Sequence, residues 1–257
     1  MTGREQGASS LAGLRVLVTA SEPGRLCELL AAVGAFPIAV PTIAIRPADP
    51  APLDAALGRE WDWIVVTSAN GARAVLARDA ARGGPSAARW AAVGPRTAAA
   101  LRAGGIEPTV VPPEATGAAI AGAMGPVEGR RVLLARARVA AADLPAALER
   151  AGAIVEEVAA YETEIGPEAS RAPLAEALRV GIDAVVFTSG STVRGLQRLA
   201  GDPASAVGGA IVVAIGPTTA AAARAAGLDP REAGGRTPAA IVAALERALA
   251  DREAARS

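Results

Sequence analysis

A long-range repeat runs through the chain and restricts the folds open to it. Gly13-Leu14-Arg15-Val16-Leu17-Val18 is answered by Gly129-Arg130-Arg131-Val132-Leu133-Leu134. Each is a short apolar run that reads as a buried strand, followed by an alanine- and leucine-rich helix ending at Gly34 or Gly152. Further on, Trp63-Ile64-Val65-Val66-Thr67-Ser68 matches Ala184-Val185-Val186-Phe187-Thr188-Ser189. Ala92-Val93-Gly94-Pro95-Arg96-Thr97-Ala98 likewise matches Ala214-Ile215-Gly216-Pro217-Thr218-Thr219-Ala220. Strand and helix alternate in each half, which predicts two similar α/β lobes, each a parallel sheet flanked by helices. The strands show no polar alternation, as expected where both faces of a sheet are covered. Aromatic residues make up only 2% of the 257 residues, so the cores must pack Val, Ile, Leu and Ala at close range.

The repeat leaves open which strands share a sheet. Residues 38–46 and 158–164 hold the same place in the two halves, are rich in β-branched residues and precede proline-containing stretches. They are either interior strands or crossings between lobes; crossings would place both chain ends in one lobe and the middle in the other. The uncharged run 204–223 approaches membrane-spanning length, but Gly208, Gly209, Gly216 and Pro217 interrupt it. It reads as a loop, a buried strand and a helix start. Residues 1–12 lack the charged-then-apolar order of a signal peptide, so the cytoplasm is the expected location. The charged tail 251–257 reads as a fraying helix end.

In four places a buried strand runs into small polar residues that open a helix: at Thr67-Ser68, Gly94-Pro95-Arg96-Thr97, Thr188-Ser189 and Gly216-Pro217-Thr218-Thr219. One such start, alone, is ordinary capping. Four in a duplicated arrangement point to anion binding, because free N–H groups and the positive end of the helix dipole face outward together. In open α/β sheets these ends lie beyond the carboxyl edge of the strands, where ligands bind. If the lobes face each other, the starts could converge on one polyanionic molecule.

The residue types also exclude chemistry. There is no histidine and a single cysteine, Cys27, so Ser-His-Asp and Cys-His catalysis, an internal disulfide and a multi-cysteine zinc site are ruled out. No dinucleotide fingerprint and no phosphate-binding Walker loop is present. The 26 basic and 26 acidic residues balance without a basic block, which argues against a nucleic-acid partner. With histidine missing, Tyr161, the only tyrosine, is one of few groups able to donate a proton in a cleft; a packing role fits it equally well. Arg136 and Arg138 follow a strand directly, where a guanidinium can take a carboxylate bidentately. Arg73, Arg78, Arg102 and Arg198 read as solvated helix faces.

Val185-Val186-Phe187-Thr188-Ser189 paired with Ala214-Ile215-Gly216-Pro217-Thr218-Thr219-Ala220, then Ala226-Gly227-Leu228 and Thr237-Pro238, resembles the uroporphyrinogen-III synthase family. So does Ala151-Gly152-Ala153 followed by Ala160-Tyr161-Glu162-Thr163. The resemblance runs from Gly13 to about Leu249 and rests on the order and spacing of these motifs. It implies two flavodoxin-like α/β lobes joined by a two-stranded β connector. Residues 1–37 and 165–257 would form lobe 1, residues 47–157 lobe 2, and residues 38–46 and 158–164 the connector. The implied activity is a hydro-lyase reaction of haem and porphyrin biosynthesis: hydroxymethylbilane is cyclised with inversion of its last ring and loss of water, without metal or organic cofactor. The expected protein is a monomer whose partner is the small-molecule substrate, with neither nucleic acid nor membrane. Carried over to this chain, Ser68, Thr97, Arg136, Ser189 and Thr219 would surround the substrate and Tyr161 would be the acid. Members often carry Thr-Arg-Pro after the first strand, whereas here Thr19 is followed by Ala20 and Ser21. A non-catalytic bilobal protein that binds small anions, or a flavin enzyme on the same lobes, would fit the helix starts as well.

Overall fold

The computed structural model describes residues 11–81, 83, 87–114 and 116–255. Residues 1–10, which carry most of the expectation about a leader peptide, and 256–257 of the tail lie outside that range. In chain order the elements are β1 (Arg15–Val18), α1 (Gly24–Ala32), β2 (Phe36–Ala39), β3 (Ile43–Pro47), α2 (Pro50–Leu57), β4 (Trp63–Val66), α3 (Ala69–Ala80), β5 (Arg89–Ala92), α4 (Pro95–Ala103) and α5 (Gly117–Ala123). They continue with β6 (Arg131–Ala137), α6 (Asp143–Arg150), β7 (Ile154–Ile165), α7 (Arg171–Val180), β8 (Ala184–Phe187), α8 (Gly190–Ala200), α9 (Pro203–Val207), β9 (Ile211–Ala214), α10 (Pro217–Ala225), β10 (Pro230–Glu232) and α11 (Pro238–Ala254). The uncharged run 204–223 is thus divided among α9, β9 and the start of α10, and no helix among the described residues is long and apolar enough to cross a membrane.

The chain divides into two compact units, residues 1–44 with 164–257 and residues 45–163. The first holds a sheet of order β10-β9-β8-β1-β2, the second a sheet of order β3-β7-β6-β4-β5. Every pairing with a described register is parallel. The series β9-β8-β1-β2 and β5-β4-β6-β7 correspond strand for strand, and the bridge Ala91–Val110 stands where β10 stands in the other sheet. Central strands such as β4 and β8 are buried on both faces, which is why they read as unbroken apolar runs. In each unit one apolar cluster lies on either side of the sheet. In the second unit, Ile64, Val66, Leu133 and Ala135 point to the α3 and α4 side, and Trp63, Val65, Val132 and Leu134 to the α5 and α6 side. Side chains of this size each contribute roughly 1.5–3 kcal/mol when fully buried.

The stretch expected as a connector, 38–46, is divided. Ile38 and Ala39 pair with β1, and the N–H groups of Val40 and Thr42 still bond Val18 and Thr19, so 38–42 belongs to the first sheet. Pro41 has no N–H to continue that ladder, and the crossing strand begins only at Ile43. The other stretch, 158–164, is the far part of β7, which begins at Ile154 alongside β6.

Candidate functional site

In the second unit β4 ends at Val66, and Ser68 caps α3 from an extended backbone, its Oγ accepting the Gly71 N–H at 3.0 Å. The Ser68 hydroxyl in turn donates to the Tyr161 hydroxyl oxygen at 3.0 Å. Apart from Ser68 Oγ itself, the phenol's hydrogen has no acceptor among the described residues. Tyr161 reaches this corner through a break in register: Arg136 pairs with Ala159, but the next residue, Ala137, pairs with Tyr161, leaving Ala160 as an extra residue. Strand side chains alternate faces, so without the extra residue Tyr161 would stand on the opposite side of the sheet from Val158 and Ala160. With it, Tyr161 packs against the cluster that contains both. The Tyr161 carbonyl accepts the Arg138 N–H at 2.9 Å.

Thr97 and Thr219 occupy the third position of α4 and α10, after Gly94-Pro95 and Gly216-Pro217. The capping that Ser and Thr make possible at all four starts is carried out by the serines alone; these two helices begin on glycine with no side-chain cap. Thr97 is 4% exposed and Thr219 5%, yet neither hydroxyl has a partner among the described residues. Among the described residues only Trp63 Nε1 is a fully enclosed polar atom without a partner, so the Thr97 and Thr219 oxygens reach solvent at the carboxyl edge although most of each residue is covered. Gly216 has an extended backbone, and a Cβ there would meet nothing within 4 Å. Neither backbone conformation nor packing within the chain requires glycine at 216.

In the first unit Ser189 caps α8, its Oγ accepting the Thr192 N–H at 3.3 Å, while the Ser189 N–H donates to Thr192 Oγ1 at 3.4 Å, which closes a capping box. Thr192 Oγ1 also donates to the Ser189 carbonyl at 2.8 Å, and Thr42 Oγ1 donates to the Thr192 carbonyl at 2.7 Å. The approach is close: a Cβ on Gly195 would lie 1.9 Å from the Thr42 carbonyl oxygen. Thr19, where family members often continue with arginine, is buried and donates to the Val186 carbonyl at 2.7 Å.

Arg136 was expected to present its guanidinium at the strand end; instead it is 5% exposed. Its Nη1 pairs with Glu157 at 3.1 Å and its Nη2 donates to the Ala141 carbonyl. The loop 138–142 thus contributes a carbonyl to the guanidinium. Arg138 pairs with Glu162.

The second unit therefore brings Ser68 and Tyr161 into direct contact and sets Thr97, in the first turn of the helix after β5, and Arg136, near the end of β6, at the same edge on either side of β4. The first unit sets Ser189 and Thr219 after the neighbouring strands β8 and β9. Sequence reasoning missed Gly71 and Glu157, which carry no motif. It also missed a paired signal: an aspartate stands before each matched strand. Asp62 Oδ2 accepts the Arg131 N–H at 2.9 Å, and Asp183 Oδ2 accepts the Arg15 N–H at 2.8 Å. The amide of Arg131 first, and then the Arg130 guanidinium, hold the Asp62 carboxyl below the usual aspartate range.

The family model for uroporphyrinogen-III synthase HemD matches residues 24–243. The uroporphyrinogen-III synthase of Synechococcus elongatus is 32% identical over 228 residues, which cover 81% of this chain and 85% of that protein. Among solved structures, a mutant uroporphyrinogen III synthase of Thermus thermophilus superposes with a TM-score of 0.68 at 23% identity, covering 93% of this chain and all of that one. The enzyme from Helicobacter pylori gives a TM-score of 0.60 at 16% identity, with 92% and 99% covered. These two likenesses establish the shared fold. Family model and sequence relative together carry the further conclusion: the chain belongs to the uroporphyrinogen-III synthase family, the lyases that close the tetrapyrrole ring.

Proposed function

We propose that this chain cyclises hydroxymethylbilane, with Tyr161 as the acid that helps the hydroxyl leave and with the carboxyl-edge helix starts holding the substrate's carboxylates. The observation that carries the reading is the Ser68 to Tyr161 hydrogen bond. With Ser68, held by the Gly71 N–H, donating to the phenol oxygen, the phenol's own hydrogen is available to the substrate. When that hydrogen passes to the substrate's hydroxymethyl oxygen, the C–O bond breaks, water departs, and the positive charge is shared with the pyrrole nitrogen. Attack on this carbon by the substituted position of the last ring gives a spiro intermediate that leads to the inverted ring. Free in water, the substrate cyclises without inversion, so the enzyme's main contribution is to hold the reacting carbons together, a positioning effect worth several kcal/mol and up to roughly 11.

Ser189, Thr97 and Thr219 are the proposed carboxylate contacts. Each presents a hydroxyl beside a helix start, where free N–H groups and dipole favour an anion. No step needs histidine, a metal or a nucleotide. The test is to supply hydroxymethylbilane to the purified protein and separate the oxidised products: isomer III is expected, and isomer I alone, at the uncatalysed rate, would refute the activity.

A further inference from the structure

We infer that Glu157 is a positioning residue for Tyr161, acting through Arg136; the inference rests on the reading of Tyr161 as the acid. Arg136 is the last residue of β6 in regular register with β7, and Ala137 after it is already opposite Tyr161. The extra residue that aims the tyrosine therefore sits at the rung where Arg136 ends the regular ladder. From that rung the buried guanidinium makes two ties. One goes across to the carboxylate of Glu157 on β7, the other forward to the carbonyl of Ala141, beyond the loop that leaves β6. The loop's own backbone closes the circuit, because the Arg138 N–H bonds the Tyr161 carbonyl. Strand β7, strand β6 and the loop are thus pinned to one another around the irregular rung.

A guanidinium enclosed this far needs its partners, and Glu157 supplies the only carboxylate paired with it among the described residues. Arg136 is then a brace with both terminal nitrogens engaged inside the unit. Loosening it lets the irregular rung relax and swings the phenol away from the leaving hydroxyl. The consequence falls on turnover more than on substrate affinity, since the carboxylate contacts lie on other elements.

The test uses the full chain and measures kcat, KM for hydroxymethylbilane, the ratio of isomer III to isomer I, and melting temperature. Glu157→Gln and Arg136→Met are each expected to lower kcat about tenfold with KM within about twofold. The double variant should be no slower than the worse single one, and Arg136→Lys should recover part of the loss because an ammonium can still reach Glu157. If Arg136→Met does not fold, Glu157→Gln and Arg136→Lys carry the same comparison. The proposal is overturned if Arg136→Lys raises KM while Glu157→Gln lowers it, the pattern of a guanidinium that binds substrate and is released by losing its partner. It is also overturned by a wild-type kcat in Glu157→Gln. Glu157→Gln combined with Tyr161→Phe should be no slower than Tyr161→Phe alone. A slow Tyr161→Phe beside a normal Glu157→Gln removes the brace alone, whereas a normal Tyr161→Phe removes the acid reading and the brace's route to it.

Discussion

Ser68 and Ser189 open corresponding helices after corresponding strands, yet their protons have different destinations. Three residues after Ser189 stands Thr192, whose hydroxyl returns to the serine and closes a capping box, and Thr42 bonds the Thr192 carbonyl from the neighbouring chain segment. That corner is complete in itself, and the Ser189 hydroxyl's own hydrogen has no acceptor among the described residues. Three residues after Ser68 stands Gly71, with no side chain to close a box, and the serine's hydrogen goes to Tyr161 instead. A Cβ on Gly71 would stand 3.3 Å from Ser68 Oγ and equally close to the Ala135 carbonyl, so the glycine also leaves the serine room. On the proposed reading, one duplicated corner serves for binding and the other for proton donation, and a single position in each copy separates the two.

The largest effect expected is at the phenol. Tyr161→Phe keeps the ring's packing and removes the donor, and initial rates of isomer III formation should fall by up to roughly 10²–10⁴, the ceiling for general acid catalysis. Unchanged turnover would take Tyr161 out of the chemistry and erase the difference between the corners. Next come the serines as a pair. Ser68→Ala and Ser189→Ala each lose a cap worth about 1 kcal/mol, so their melting temperatures should fall alike. Their kinetics should part: kcat down about tenfold for Ser68→Ala, and KM up about fivefold with kcat kept for Ser189→Ala. Identical kinetic profiles would show that the corners do one job. Thr219→Ala should raise KM roughly fivefold, the loss of about one hydrogen bond of 1 kcal/mol; unaltered KM and rate would remove Thr219 from the substrate contacts.

Thr192→Gly converts the first unit's corner toward the second's. It is expected to cost about 1 kcal/mol in a denaturant titration through the lost box and the helical glycine, with kcat retained. A fall in kcat as large as that of Ser68→Ala would sink the division of labour. The smallest effect lies at the strand entrances. Because Asp62 titrates lower when folded than when unfolded, its stabilisation is whole above the ordinary aspartate range and disappears as pH falls through the folded value. Asp62→Asn should flatten that acid limb of the stability profile, and an unchanged limb would show that the Arg131 tie contributes nothing there.

The duplicated architecture was legible because apolar runs of strand length, each followed by a helix pattern, record burial on both faces of a parallel sheet, and burial is a property of composition and period. The serine caps were legible for a similar reason, since the residues that satisfy a helix start are local to it. The residue at which the chain passes from one sheet to the other was not legible, because β-branched character in 38–46 does not say which sheet each part joins. Arg136, near the end of β6, shows the same limit: its place past the apolar core of the strand suggests an open edge, and only the tertiary structure buries it, with its guanidinium on the Ala141 carbonyl.

By itself, then, the sequence determined the two α/β units, the four helix starts, the want of histidine and the solitary tyrosine. Tertiary structure alone decided that Tyr161 meets Ser68, that an extra residue at Ala160 puts the tyrosine on the right face, and that Glu157 stands against Arg136. The physical reason is range. Period, capping and burial are set within a few residues, whereas these contacts join segments 21 to 93 residues apart through a one-residue change of strand register that leaves no local mark.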